Sequence, residues 1–171
     1  MQALRDIMMS KIVNKISFLI VLGVLALALL FAQTRVVVVK SDDFECYFKD
    51  KNFELSWIHS VEKQDWIEGY RVEKDGFTLI SSKFKTFGAG VPSDGNITKK
   101  EEGFVIYDTD IKLHEINWIV SQNVNSTLNI NNKSFKVYKH FDEYSELHFL
   151  VKKLPFWKLY IKENCHARLH T

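Results

Sequence analysis

Residues Ile16 to Ala32 form a run of seventeen residues without a single charge. At about 1.5 Å of rise per residue, a helix of this length just crosses the hydrocarbon core of a bilayer. Arg35 can extend its charged end toward water, so that Val36–Val39 lengthens the apolar span. The run therefore predicts a transmembrane anchor over residues 16–35.

The charges around this run predict its orientation. Arg5, Lys11 and Lys15 precede it, against one acid, and basic residues favour the cytoplasmic side of a membrane. We therefore expect residues 1–15 in the cytoplasm and residues 36–171 as an extracytoplasmic domain of a single-pass cell-membrane protein. A cleaved signal peptide is the alternative. The small residues near the end of the run match a signal-peptide cleavage site poorly. Under both interpretations the rest of the chain is exported.

The predicted exported domain is close to neutral. Residues 1–40 hold five of the 23 basic residues and one of the 21 acidic residues, so residues 41–171 carry 18 basic and 20 acidic residues. A nucleic-acid-binding surface needs a basic excess. The sequence therefore predicts no nucleic-acid partner.

The chain has two cysteines, Cys46 and Cys165. In an exported domain, one pair permits a disulfide that would tie the two ends of the domain together. Two unpaired thiols are the alternative. No Cys/His cluster has metal-ligand spacing, and we expect neither a metal nor another cofactor.

The most informative chemistry lies in residues 55–72, where two stretches alternate with a period of two around the polar residues 62–65. This pattern predicts a β-hairpin. With residues 62–65 as the loop, His59 lies directly opposite Glu68 on a largely aromatic face. Such an imidazole–carboxylate pair would either bind a ligand or partner or be a buried polar pair that fixes strand register.

A third strand is predicted from Phe77 to about Phe87, after a two-residue turn at Asp75-Gly76. This register sets Lys83 opposite Glu68. His59, Glu68 and Lys83 would then form a row across three strands, unless a β-bulge interrupts it. The loop that follows contains Gly88-Ala-Gly90, which predicts either backbone N–H groups that bind an anion or a tight turn that closes the sheet.

Strand-like runs continue to the end of the chain, and no amphipathic helix of a dozen residues follows the anchor. Residues 96–102 are expected to be a polar loop. We therefore expect an all-β domain, an antiparallel sandwich or partly open barrel, preceded by one N-terminal transmembrane helix. The further predicted strands are Val36–Val39, Glu45–Phe48, Phe104–Tyr107, Glu115–Ser121, Thr127–Ile130, Ser134–Tyr138, Glu146–Val151 and Phe156–Ile161.

The motifs Trp57-Ile-His-Ser-Val-Glu-Lys63, Trp66-Ile-Glu68 and Phe87-Gly-Ala-Gly-Val-Pro92 resemble the signature of a bacterial family of small proteins. Its members carry a domain of unknown function, typically after an N-terminal hydrophobic segment. The resemblance covers roughly residues 43–110, and the tail from about Asn123 matches nothing in it. It implies a bacterial origin and genes beside TRAP-type solute transporters of the TAXI subclass.

Together these observations predict a membrane-anchored extracytoplasmic accessory or binding protein. The resemblance implies a TRAP-type permease or its solute receptor as partner. An anchored hydrolase is the alternative, although a His–carboxylate pair also needs a nucleophile or metal, and Ser60 is predicted on the strand face opposite His59. We expect no catalytic residue. A purely structural envelope domain is the third possibility. The candidate binding residues are His59, Glu68, Lys83, Trp57, Trp66, Gly88 and Gly90.

Overall fold

The structure is a computed structural model that describes residues 2–85, 96–101 and 103–169. The chain divides into two compact units. The first comprises Met1–Thr34 and Leu154–Ile161, and the second comprises Arg35–Lys153 and Lys162–Thr171. The predicted loop with Gly88 and Gly90 lies outside the described residues.

The first unit contains the apolar helix that the sequence predicts. Helix α1 runs from Gln2 to Phe31, and its portion Val13–Phe31 has a mean hydropathy of 2.3 with no part buried. It is long and apolar enough to cross a membrane. The unit also contains the short helix α2 (Lys158–Ile161), so the strand expected over Phe156–Ile161 is wrong.

Apart from the ends of two strands, residues 33–34 and 154–155, the second unit contains two antiparallel sheets, and the all-β prediction is confirmed. One sheet has four strands in the order β2-β1-β11-β8, and the other has seven in the order β10-β9-β3-β4-β5-β7-β6. The four-stranded sheet comprises β1 (Gln33–Lys40), β2 (Glu45–Phe48), β8 (Glu115–Ile119) and β11 (Glu146–Pro155). The seven-stranded sheet comprises β3 (Asn52–Ile58), β4 (Asp65–Val72), β5 (Phe77–Phe84), β6 (Asn96–Glu101), β7 (Phe104–Leu113), β9 (Thr127–Ile130) and β10 (Lys133–Phe135).

The two sheets share one apolar core, because their alternating inward side chains pack against each other. Phe53 on β3 lies at its centre. Its ring centroid is 5.6 Å from Phe149 of the other sheet, 5.4 Å from Phe48, 5.3 Å from Tyr70 and 5.8 Å from Phe77. These ring contacts join both sheets and make this domain a sandwich.

A disulfide closes the second unit. Cys46 and Cys165 form a disulfide, although they are 119 residues apart in the sequence. This is one of the two states that the sequence leaves open for them. The disulfide joins β2 to the short helix α3 (Cys165–Arg168), and both cysteines are fully buried. The C-terminal end of the unit is thereby fixed to its first hairpin.

Several turns differ from prediction. Residues 96–101 form strand β6 instead of a loop, and residues 137–139 form a 3₁₀ helix instead of the end of a strand. The Asp75-Gly76 turn is wider than two residues: Val72 pairs with Phe77, and the N–H of residue 73 donates to the carbonyl of residue 76. By contrast, Asn131 and Asn132 form a two-residue turn with φ of 50° and 61°, as asparagine readily does.

Candidate functional site

The β3–β4 loop is longer than predicted, and this changes the strand pairing. Trp57 lies opposite Trp66, and Leu55 rather than His59 lies opposite Glu68. The prediction that His59 and Glu68 form a cross-strand pair is therefore wrong. The shift is four residues along β3, an even number, so Trp57, Trp66 and Glu68 keep the shared face that the alternation predicts.

His59 begins the loop instead of ending the strand. Its backbone N–H donates to the carbonyl of Gln64 (2.8 Å), and its carbonyl accepts from the N–H of Lys63 (2.9 Å). Its Nδ1 accepts from the backbone N–H of Glu62 at 3.3 Å, so in the neutral ring the proton is on Nε2. The ring lies 5.5 Å from that of Trp66 and is inclined to it by 28°. The loop thus places the imidazole against the aromatic face.

Lys83 lies on the other face of the seven-stranded sheet. The wider Asp75-Gly76 turn moves the β4–β5 pairing by two residues, and a register shift after Gly69 moves it back by one, so Lys83 pairs with Ile67 in place of Glu68. Its Nζ forms an ion pair with Glu54 at 2.9 Å. The predicted row of His59, Glu68 and Lys83 does not form, because the longer β3–β4 loop takes His59 out of the pairing with Glu68 and the bulge puts Lys83 on the other face. Lys83 instead lines a polar groove of about 710 Å³ on that other face.

Four aromatic side chains cross the seven-stranded sheet in a row, which we term the aromatic ladder. They are Trp57, Trp66, Phe84 and Tyr107, on β3, β4, β5 and β7. Successive ring centroids are 6.1, 5.0 and 5.4 Å apart, with planes inclined by only 22–29°. Such stacked pairs add about 0.5–1.5 kcal/mol each beyond the area they bury. Trp66, Phe84 and Tyr107 are buried, so only the Trp57 end of the ladder is partly exposed, and His59 lies beside that end.

A cavity of about 590 Å³ opens where the ladder meets β8 of the other sheet. This volume is typical of small-molecule sites. Four of the seven predicted binding residues meet there, although not through the predicted pairing. The cavity, called the aromatic cavity below, is lined by Trp57, His59, Ser60, Trp66, Glu68, Trp118, Ile119, Val124 and Ser126.

Glu68 is the acidic group of the aromatic cavity. Burial raises the pKa of its carboxyl above the ordinary value of 4.5, while hydrogen bonding to Tyr70 and the nearby Trp66 lowers it by less. The Tyr70 hydroxyl donates to Oε2 at 2.5 Å. Burial and the adjacent carboxylate in turn raise the pKa of Tyr70, which stays protonated as the donor. Among the described residues no lysine or arginine forms an ion pair with Glu68.

One polar atom in the wall of the cavity lacks a hydrogen-bond partner among the described residues. Trp66 Nε1 is buried and makes no hydrogen bond to any described residue, although its N–H lies near enough to Glu68 to help lower the pKa of that carboxyl. An unpaired buried N–H is costly. The wall of the cavity therefore contains a buried N–H, at Trp66, next to a carboxyl that accepts a hydrogen bond from the neutral Tyr70 hydroxyl.

Sequence reasoning missed Trp118, Ser126, Phe84 and Tyr107. For Tyr70 a signal existed, because it follows Glu68 by two residues and so shares its strand face. Trp118 reaches the cavity through the pairing of β8 with β11, which is remote in the sequence. No local pattern encodes such a contact.

Residues 53–137 match the family model of a domain of unknown function (DUF1850). The match spans just under half of the chain and includes the strands that carry the aromatic ladder and Glu68. It also extends beyond Asn123, whereas the family resemblance described in the sequence analysis did not include the tail from about that residue. Neither the curated proteins nor the solved structures gave a match to this chain.

Proposed function

We propose that this chain is a membrane-anchored extracytoplasmic binding protein that acts as an accessory to a TRAP-type solute transporter. The observation that carries the proposal is the aromatic cavity, whose lining brings the carboxyl of Glu68 together with Trp57, Trp66 and Trp118. Flat apolar contact area supplies affinity, and a few polar groups at its edge fix orientation. The cavity is of the right size for a small molecule or a side chain of a partner protein.

Two features support the extracytoplasmic location. Helix α1 carries its basic residues before the apolar portion, which favours a cytoplasmic N-terminus. The Cys46–Cys165 disulfide is compatible with an oxidising compartment, whereas the cytosol keeps thiols reduced. Both features favour the same side of the membrane for the sandwich domain.

The partner is proposed from the family resemblance of the Trp57–Lys63 and Trp66–Glu68 motifs. Three modes of action fit it: binding the permease, binding its solute receptor, or binding the solute itself. In each mode the aromatic cavity is the contact region.

Binding is favoured over hydrolysis by the surroundings of His59. Its Nδ1 accepts from the Glu62 backbone, and in the described part of the chain it makes no hydrogen bond to Ser60 or Ser126. Ser126 Oγ instead accepts from the backbone N–H of Ser121. A serine nucleophile needs a base within hydrogen-bond reach, and this arrangement does not favour one.

Affinity purification of the tagged full-length protein from membranes in mild detergent tests the proposal. We expect a transporter subunit to co-purify with wild type and to be lost with Trp57→Ala and His59→Ala. The matched control is His140→Ala, which alters an exposed histidine outside the cavity. Absence of any transporter subunit from the wild-type sample would refute the association. Equal recovery with all variants would show that the partner binds elsewhere than the cavity.

A further inference from the structure

A short segment of the first unit exposes several large apolar side chains. Between Phe156 and Ile161, the exposed fractions are 42% for Trp157, 80% for Tyr160 and 74% for Ile161. Phe156 itself is 48% exposed and contacts the Tyr160 ring edge-on at 5.5 Å. So many exposed apolar side chains in six residues indicate a surface that is covered in the working protein.

The backbone attaches this segment to the end of the apolar helix. The N–H of Phe156 donates to the carbonyl oxygen of Ala32 at 2.9 Å. Ala32 is the residue directly after α1, and both belong to the same compact unit. If α1 spans a bilayer, Phe156 lies within one residue of the point where the helix leaves it.

The residue types fit the boundary between lipid and water. Tryptophan and tyrosine concentrate at this boundary, because their rings are apolar and their N–H and O–H groups remain hydrogen-bonded. Lys158 adds a positive charge, with its Nζ 5.5 Å from the centroid of the Trp157 ring. A lysine here can extend to lipid phosphates while its methylene groups stay beside the ring.

We propose that residues 156–161 form an interface segment that inserts into the headgroup region of the bilayer, on the side where α1 emerges. Its partner is a lipid surface, and the chain is thereby held to the membrane at a second point. Phe156, Trp157, Tyr160 and Ile161 supply the apolar contact, and Lys158 contacts phosphate. This inference rests on the membrane anchoring proposed above.

The test uses the full-length protein in vesicles of phosphatidylcholine and phosphatidylglycerol, with a nitroxide attached to single introduced cysteines. The variants are Val24→Cys inside the apolar portion of α1, Tyr160→Cys in the interface segment and Tyr144→Cys, a similarly exposed tyrosine of the sandwich domain. The native disulfide is left intact. Collision with oxygen, which concentrates in lipid, is compared with collision with a water-soluble nickel complex.

We expect the ratio of oxygen collisions to nickel collisions to be highest at residue 24, lowest at residue 144 and intermediate at residue 160, as for a position in the headgroup region. If residue 160 is as accessible to nickel as residue 144 while residue 24 is in lipid, the interface segment is refuted and the anchor stands. If residue 24 is itself accessible to nickel, the anchor fails, and the interface segment fails with it.

A second measurement avoids the introduced cysteine. Lipids brominated near the headgroup quench tryptophan emission on contact, so wild type should show a quenched component that disappears in Trp157→Phe. Trp118→Phe, in the sandwich domain, is the matched control and should retain that component. An undiminished quenched component in Trp157→Phe would overturn the proposal.

Discussion

Phe53 is the side chain on which the core of the sandwich domain converges, with four aromatic rings from both sheets around it. We predict that Phe53→Ala lowers the free energy of unfolding by about 3–5 kcal/mol, because it removes a buried ring and leaves a cavity that its neighbours cannot fill. Denaturant titration of the purified protein measures this. Val61→Ala, at an exposed loop position, should change stability by no more than about 0.5 kcal/mol. Equal effects of the two substitutions would contradict the packing described.

Glu68 should make stability depend on pH in an unusual direction. Its pKa is raised in the folded state, so folding favours the protonated carboxyl. The associated stability is fully present below the ordinary value of 4.5 and is lost as the pH rises through the folded-state pKa. We predict that Glu68→Gln, which keeps an acceptor for Tyr70, stabilises the protein relative to wild type near neutral pH. The advantage should vanish below the ordinary pKa.

Denaturant titrations at a series of pH values measure this difference. The control is Glu143→Gln, where the hydrogen bond from the Ser121 side chain, followed by that from the Gln122 backbone, lowers the pKa of the carboxyl. The expected change in stability has the opposite sign for this control. Glu143 contributes stability above its ordinary pKa, so its replacement should destabilise the protein at neutral pH. If both variants changed the free energy of unfolding in the same direction near neutral pH, the role of burial at Glu68 would be refuted.

At the scale of the elements, the turn between β4 and β5 depends on a close approach to β7. A Cβ added at Gly76 would lie 2.2 Å from the carbonyl oxygen of Leu113, which is backbone and cannot move aside. We predict that Gly76→Ala costs about 1–3 kcal/mol of stability, the usual range for forced overpacking. Thermal unfolding with calorimetry measures this.

Gly69 in the same hairpin provides the control. A Cβ there would meet the Oγ of Ser81 at 2.6 Å, the end of a small side chain that can be removed. Adding Ser81→Ala should therefore recover the stability that Gly69→Ala loses. No side-chain deletion should recover the stability that Gly76→Ala loses, because its clash is with the backbone. Failure of the double substitution to recover stability would show that the clash is not with the Ser81 side chain.

The same hairpins show how far the sequence determines the structure. Alternation correctly assigns Trp57, Trp66 and Glu68 to one face, because strand side chains alternate strictly. Alternation does not determine the number of loop residues, so the position predicted for His59 is wrong. A bulge on β5 makes the position predicted for Lys83 wrong as well. Phe156–Ile161 is an apolar run of strand length, but it follows the end of β11, and its first residue is hydrogen-bonded to Ala32 beyond the apolar helix. Such long-range partners carry no local signal.

At the scale of the whole molecule, the disulfide links the fold of the sandwich domain to its compartment. Cys46 and Cys165 are both fully buried, and described residues of the chain contain no free cysteine. Loss of a native disulfide from a small exported domain typically costs about 2–5 kcal/mol. A domain that was exposed to a reducing cytosol would lose that contribution, so the redox state of this pair reports on which side of the membrane the domain folds.

We predict that the protein in living cells carries the oxidised pair. Cells are quenched with acid, the protein is denatured, and free thiols are labelled with a maleimide–polyethylene glycol reagent that retards electrophoretic migration. Without reductant the band should not shift, and after reduction it should shift by two labels. A Cys46→Ser variant should shift by one label under both conditions, which verifies that denaturation exposes the remaining Cys165. A two-label shift of wild type without reductant would place the domain in a reducing compartment and would refute the proposed orientation.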